Sequence, residues 1–247
     1  MAGVLVVARR RKSPPAVASL KHEGIISTGY TDLDGLLGGG IPERYGVVVV
    51  SPAYDERDFL LRKIIGTALS TSTPVFYLSS DTERTGDYLR SYGKDFYAFS
   101  PQADKIEHSG KNLYKIPGVE NLSELNISFS LTSPMVEYQA RKDVSKIIIL
   151  DLLSDILLRH KALTTRKWLS DFIAKRKTEG FTTIASLNPL IAKEEAQTIL
   201  DLFDGVIEIY ERELRARPRR FLLVRKLYAK KYSENELLLD RDKLFST

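Results

Sequence analysis

Cysteine is absent from the 247-residue chain, and histidine occurs only at His22, His108 and His160. The first absence excludes disulfides, thiolate metal sites and cysteine nucleophiles. The second leaves too few imidazoles, too widely scattered, to expect a histidine-built metal centre. Any chemistry must come from oxygen and nitrogen groups, and no metal is expected. Long apolar runs are missing too. The longest, at 47–50 and 147–153, have the length of strands and fall well short of the roughly 20 residues that span a bilayer. No membrane partner is expected. Val4, Leu5, Val6 and Val7 precede Arg9, Arg10, Arg11 and Lys12, the reverse of the charge order of a secretory signal, so a cytoplasmic location is expected.

What is present is the composition of a folded protein, 43% apolar and 28% charged, with a net charge of +5 that permits an anionic partner. Residues 1–23 contain Pro14 and Pro15 and read as an N-terminal arm; 24–247 read as one domain. In that domain, apolar runs at 47–50, 75–78, 147–150 and 181–187 alternate with amphipathic stretches at 59–69, 88–92, 168–177 and 194–203. Strands that are apolar throughout, without polar alternation, are buried on both faces. The expected class is therefore α/β, doubly wound, with a mainly parallel central sheet and helices on both faces. Beyond Asp204 the runs 206–210, 220–228 and 237–239 are separated only by turn lengths, which predicts a C-terminal antiparallel extension. Residues 121–133 fit a strand through Leu125, Ile127 and Phe129, and a helix through Leu122, Leu125 and Phe129; periodicity does not decide between them.

The order Thr28-Gly29-Tyr30-Thr31-Asp32-Leu33-Asp34, then Leu36-Leu37-Gly38-Gly39-Gly40-Ile41-Pro42, then a buried strand, a turn and an amphipathic helix, is a long and specific pattern. It closely resembles the start of KaiC-like members of the RecA superfamily of P-loop ATPases, of the archaeal KaiC-like or RadA-paralogue type. The resemblance covers roughly residues 24–240. It implies a RecA-like fold, a helix at 121–133, a phosphate loop after Val50, and a Walker B strand ending at Asp151.

An active loop needs G-x-x-x-x-G-K-[ST]: glycines let backbone N–H groups curl around phosphate, Lys neutralises it, and the hydroxyl holds Mg²⁺. This chain has Ser51-Pro52-Ala53-Tyr54-Asp55-Glu56-Arg57-Asp58. Ser51 and Glu56 fill the two glycine slots, Arg57 the lysine slot and Asp58 the Mg²⁺-ligand slot, while Tyr54 replaces a further glycine. Asp55, Glu56 and Asp58 should cap the next helix and repel a triphosphate. One like-charge contact at about 4 Å costs on the order of 4 kcal/mol at an effective dielectric of about 20. Asp151 is a Walker B remnant. Asp81 stands, one bond too short, where the resemblance places the catalytic glutamate. Lys226-Leu227-Tyr228 replaces the K-x-R finger offered to a neighbouring subunit, with Tyr228 in the arginine slot. ATP hydrolysis and a bound cofactor are therefore not expected.

For a positive function, the resemblance directs Arg159, Lys161, Arg166 and Lys167 toward a ring axis and DNA; cations at a helix C-terminus are the competing explanation. A second cluster, Arg215, Arg217, Arg219, Arg220, Arg225, Lys226, Lys230 and Lys231, has Tyr228 and Tyr232 interleaved. That mixture suits single strands, though a solvated strand face accounts for it equally and is preferred. The expected protein is a non-catalytic RecA/KaiC paralogue, accessory to recombination or repair. Its expected partners are single-stranded DNA, an active relative or its own copies. The alternative is a scaffold or regulatory subunit of a KaiC-like signalling ATPase without DNA contact.

Overall fold

A computed structural model describes residues 24–107, 110–132, 145–191 and 193–245; the expected arm lies outside the described residues. Strand β1 (Ile25–Ile26) pairs antiparallel with β2 (Ile41–Pro42), and helix α1 (Thr31–Leu36) lies between them in sequence. The large sheet runs, in spatial order, β11 (Leu237–Leu238), β10 (Arg217–Leu227), β9 (Gly205–Leu214), β3 (Gly46–Val50), β8 (Phe181–Leu187), β7 (Lys146–Asp151), β4 (Val75–Ser79), β5 (Phe96–Ser100) and β6 (Leu113–Lys115). From β9 to β6 every pairing is parallel. Strands β10 and β11 are added antiparallel. This is the α/β architecture that the apolar runs predict, with its antiparallel C-terminal extension.

The continuous apolar runs are divided between two cores by the period of two of a strand. Val47 and Val49, with Ile147 and Ile149, face a layer built from Leu33 of α1, Leu60 and Ile64 of α2 (Asp55–Ser70), Tyr88 of α3 (Thr82–Ser91) and Leu244 of α8 (Arg241–Phe245). Val48, Val50, Ile148 and Leu150 face the other layer. Its members include Phe129 of α4 (Leu122–Thr132), Ile156 of α5 (Leu153–Arg159), Trp168 and Phe172 of α6 (Ala162–Thr178), and Ala196 of α7 (Lys193–Gln197).

The ambiguous segment is helical: Leu122, Leu125 and Phe129 are buried while Ile127 is 59% exposed, the outcome of a helical face and not of strand alternation. The single helix expected over 194–203 is a correction. It ends at Gln197, and a 3-10 turn follows at Leu200–Leu202. Thr198 folds its Oγ1 back onto the carbonyl of Glu195 at 2.7 Å, the local bonding by which threonine competes with a continuing helix. The helix expected at 88–92 begins six residues earlier, at Thr82, because Asp81 caps it. Strands β5 and β6 were not foreseen.

The glycine-rich motif has a structural explanation. Gly40 adopts φ 139°, and a Cβ there would lie 2.4 Å from the carbonyl oxygen of Ile26, so only glycine lets β2 lie against β1. Asp34 accepts hydrogen bonds from Thr28 N (2.8 Å), Thr28 Oγ1 (2.7 Å) and Ser27 Oγ (2.6 Å), which fixes the turn into α1.

Candidate functional site

The C-terminal ends of β3, β4 and β7 converge, the location at which open α/β sheets bind ligands. After β3, Ser51 N donates to Leu187 O of β8 at 2.9 Å, and Ser51 Oγ to Pro52 O at 2.8 Å. None of the residues from Ser51 to Tyr54 has a positive φ. Tyr54 is the N-cap of α2 with extended backbone, φ −95° and ψ 142°, and gives no side-chain cap. The first turn of α2 then presents Asp55, Glu56, Arg57 and Asp58, of which Glu56 and Arg57 are buried.

The centre of the site is Arg84, on the first turns of α3. Its Nη1 lies 3.0 Å from Asp151 Oδ2, and its Nη2 lies 3.0 Å from Asp58 Oδ2 and 3.3 Å from Asp81 Oδ2. One guanidinium thus joins carboxylates from the ends of β4 and β7 and from α2. Arg57 adds a second cation, with Nη2 3.0 Å and Nε 3.1 Å from Asp58 Oδ1. Burial works against the charge of Arg84, but Asp151, Tyr77, Asp58 and Asp81 together outweigh it and raise its pKa.

Asp151 also accepts from Tyr77 Oη at 3.0 Å and from Ser186 Oγ. Burial lifts its pKa above the usual carboxylate range, with Arg84, Ser186, Arg57 and Tyr77 pulling the other way. Burial, and then Asp151, push the phenol of Tyr77 well above its ordinary value and keep it a hydrogen-bond donor. Asp81 has a second task, since its Oδ1 accepts from Arg84 N at 2.9 Å as the N-cap of α3. Beside this cluster, and walled partly by it, a cleft of about 280 Å³ opens between α2 and α3, lined by Asp58, Asp81, Glu83 and Asp87 together with Arg62 and Arg84.

The capping expected of the α2 acids is a correction. Asp55 Oδ2 pairs with Arg241 Nη2 of α8 at 2.9 Å, Glu56 Oε1 lies 3.6 Å from Arg241 Nε, and Asp58 is held by Arg57 and Arg84. Charged donors form the stronger, charge-assisted bonds and take these carboxylates in preference to backbone N–H groups. Helix α8 is held against this flank by Phe245, whose ring packs on Phe59 at a tilt of 48° with centroids 3.9 Å apart.

The remaining predicted residues lie elsewhere. Lys226 donates its Nζ to Phe203 O (2.6 Å) and Asp201 O (3.2 Å), bonding within its own chain; the Tyr228 side chain is 65% exposed. Arg159, Lys161 and Lys167 are exposed around the α5–α6 turn without an ion pair among the described residues. Arg166 is not free like them, because its Nη2 binds Asp201 Oδ2 at 2.8 Å in a two-pronged pair. Sequence reasoning missed Arg84, Arg241, Tyr77 and Ser186. Only Arg84 left a trace, the i, i+3 spacing from Asp81.

No protein-family model and no curated protein matches the sequence. Among the solved structures it resembles is a KaiC-like protein of the hyperthermophilic archaeon Pyrococcus horikoshii OT3. The superposition has a TM-score of 0.63 at 16% identity and covers 88% of this chain and 95% of the other. Among the described residues, no helix is long and apolar enough to cross a membrane. The chain has the RecA-type α/β fold of a KaiC-like protein.

Proposed function

We propose that the chain is a non-catalytic RecA/KaiC-type domain that acts by binding, as a nucleic-acid-binding accessory protein. The observation that carries this proposal is Arg84 standing among Asp58, Asp81 and Asp151. The fold implies Mg²⁺-nucleotide at this edge of the sheet, and the residues present do not fit it. The loop offers no left-handed residue to turn backbone N–H groups onto a phosphate. The Arg84 guanidinium already pairs with the carboxylates that a metal would need, and Arg241 pairs with the two acids that open α2. Because these acids are paired, exclusion rests on occupancy more than on bare repulsion. Displacing Arg84 from these partly buried carboxylates costs about 3 kcal/mol, roughly two orders of magnitude in affinity.

A net charge of +5, with exposed cations that have no partner among the described residues at Arg159, Lys161, Lys167, Arg215, Arg217 and Arg219, supports an anionic polymer as partner. A scaffold role without nucleic acid draws support from Leu158 and Leu163, which are 65% and 78% exposed on either side of Arg159 and Lys161. The catalytic half of the proposal is tested by phosphate release. Purified protein with Mg-ATP should release no more than an Asp151→Asn variant. Turnover that this substitution abolishes would overturn it.

A further inference from the structure

The hairpin of β9 and β10 outruns the sheet. Strand β3 pairs with β9 only as far as Glu208, and β11 pairs with β10 only at Phe221 and Leu222. Residues 211–219 are all exposed, and Arg215 and Ala216 form the turn. About four residues of each strand therefore project as a two-stranded ribbon, roughly 13 Å of strand. The major groove of B-DNA is about 8.5 Å deep and admits such a ribbon.

The register divides the ribbon's charge between its faces, because directly opposed residues share a face. One face carries Leu214 opposite Arg217, Arg212 opposite Arg219, and Tyr210 opposite Phe221; the other carries Glu213 opposite Pro218 and Glu211 opposite Arg220. The second face carries two acids and one cation: Arg220 pairs with Glu211 and lies over the Tyr54 ring at 3.9 Å, and Glu213 adds a further negative charge. None of the ribbon's own residues on the first face is acidic. Arg212, at its root, is paired with Glu236 at 2.7 Å, whereas Arg215, Arg217 and Arg219 further out have no partner among the described residues. Two arginines set directly opposite each other disfavour folding, as does a left-handed turn without glycine or asparagine. An anionic ligand relieves the first.

We infer that this ribbon is the nucleic-acid interface and enters the major groove of duplex DNA, with Arg215, Arg217 and Arg219 on phosphates and base edges. The inference rests on the proposal that the chain binds nucleic acid. Duplex is favoured over single strands because the rings on the basic face are engaged: Tyr210 bonds Glu236, and Phe221 is buried beneath Arg212 at 4.4 Å. Duplex RNA is disfavoured because its major groove is too narrow for side chains to read.

The test is fluorescence anisotropy of the full chain with a labelled DNA duplex across a salt series. The triple variant Arg215→Ser, Arg217→Ser, Arg219→Ser should weaken binding about tenfold or more and reduce the slope of log K against log salt by about 0.9 for each phosphate no longer neutralised, up to about 2.7. Removing equal charge by Arg159→Ser, Lys161→Ser, Lys167→Ser should leave the slope unchanged. In the wild type, duplex should also protect the peptide bond after Arg215 from trypsin, a readout that needs no variant to fold. Equal losses from the two triples, no protection, or tighter binding of a single strand or an RNA duplex of the same length would overturn the ribbon inference. Binding retained by the ribbon triple would overturn it while leaving nucleic-acid binding intact. No duplex binding by the wild type at physiological salt would overturn both.

Discussion

At the scale of single residues, Arg84 does for three carboxylates what a bound cation does elsewhere. Its side chain keeps 23% of its exposure, while that of Asp151 keeps 9%. Removing it leaves the buried Asp151 without its cation, so Arg84→Ala should destabilise the protein by about 3 kcal/mol, at the lower end for a broken buried pair. In a double-mutant cycle, Arg84→Met with Asp151→Asn should cost less than the sum of the single changes, measured by denaturant unfolding. Additive effects would mean that the pair is not coupled. Asp151 also has a pH signature. Its pKa is raised on folding, so its own contribution favours the fold fully below the unfolded aspartate value and is lost as pH rises through the folded one. The stability of wild type relative to Asp151→Asn should therefore increase on acidification; a decrease would show a carboxylate held down by Arg84 instead. Asp58, Asp81 and Asp151 were legible in the sequence because each follows a recognisable strand or loop. Arg84 was not, because its role exists only where the ends of three separate elements meet.

At the scale of elements, the β9–β10 hairpin turns through Arg215 at φ 54° and Ala216 at φ 59°. Such turns favour Asn-Gly, since other residues pay about 1–2 kcal/mol in the left-handed region. Replacing Arg215→Asn and Ala216→Gly together should raise stability by about 1 kcal/mol and the melting temperature by roughly 2–4 °C. An unchanged or lower melting temperature would mean that the turn is not as described. The basic cluster was visible in the sequence, but its meaning was not. Only the register shows that Arg212, Arg217 and Arg219 share one face while Glu211 and Glu213 occupy the other, and that Tyr228 lies past the inner end of β10. The α2 acids show the same limit. Their position at a helix start was readable, whereas their capture by Arg241, which is 186 residues from Asp55, was not.

At the scale of the molecule, the fold was legible because strands buried on both faces must be apolar at every position, and 47–50 and 147–150 are. Strand β6 escaped because it is a three-residue edge strand with little burial, whereas β5 was overlooked although residues 96–99 form an apolar run as long as 47–50. The motif that prompted the family resemblance turns out to brace β1, α1 and β2 through Gly40 and Asp34. A brace of that kind is needed whether or not nucleotide binds. We propose that the nucleotide position is closed from within by Arg84. Thermal unfolding with and without millimolar Mg-ATP tests it most directly. A ligand at a hundred times its Kd stabilises by about 2.7 kcal/mol, a melting shift of roughly 5–10 °C for a chain of this size. The account predicts no shift; a shift of that size that disappears in Asp151→Ala would contradict it.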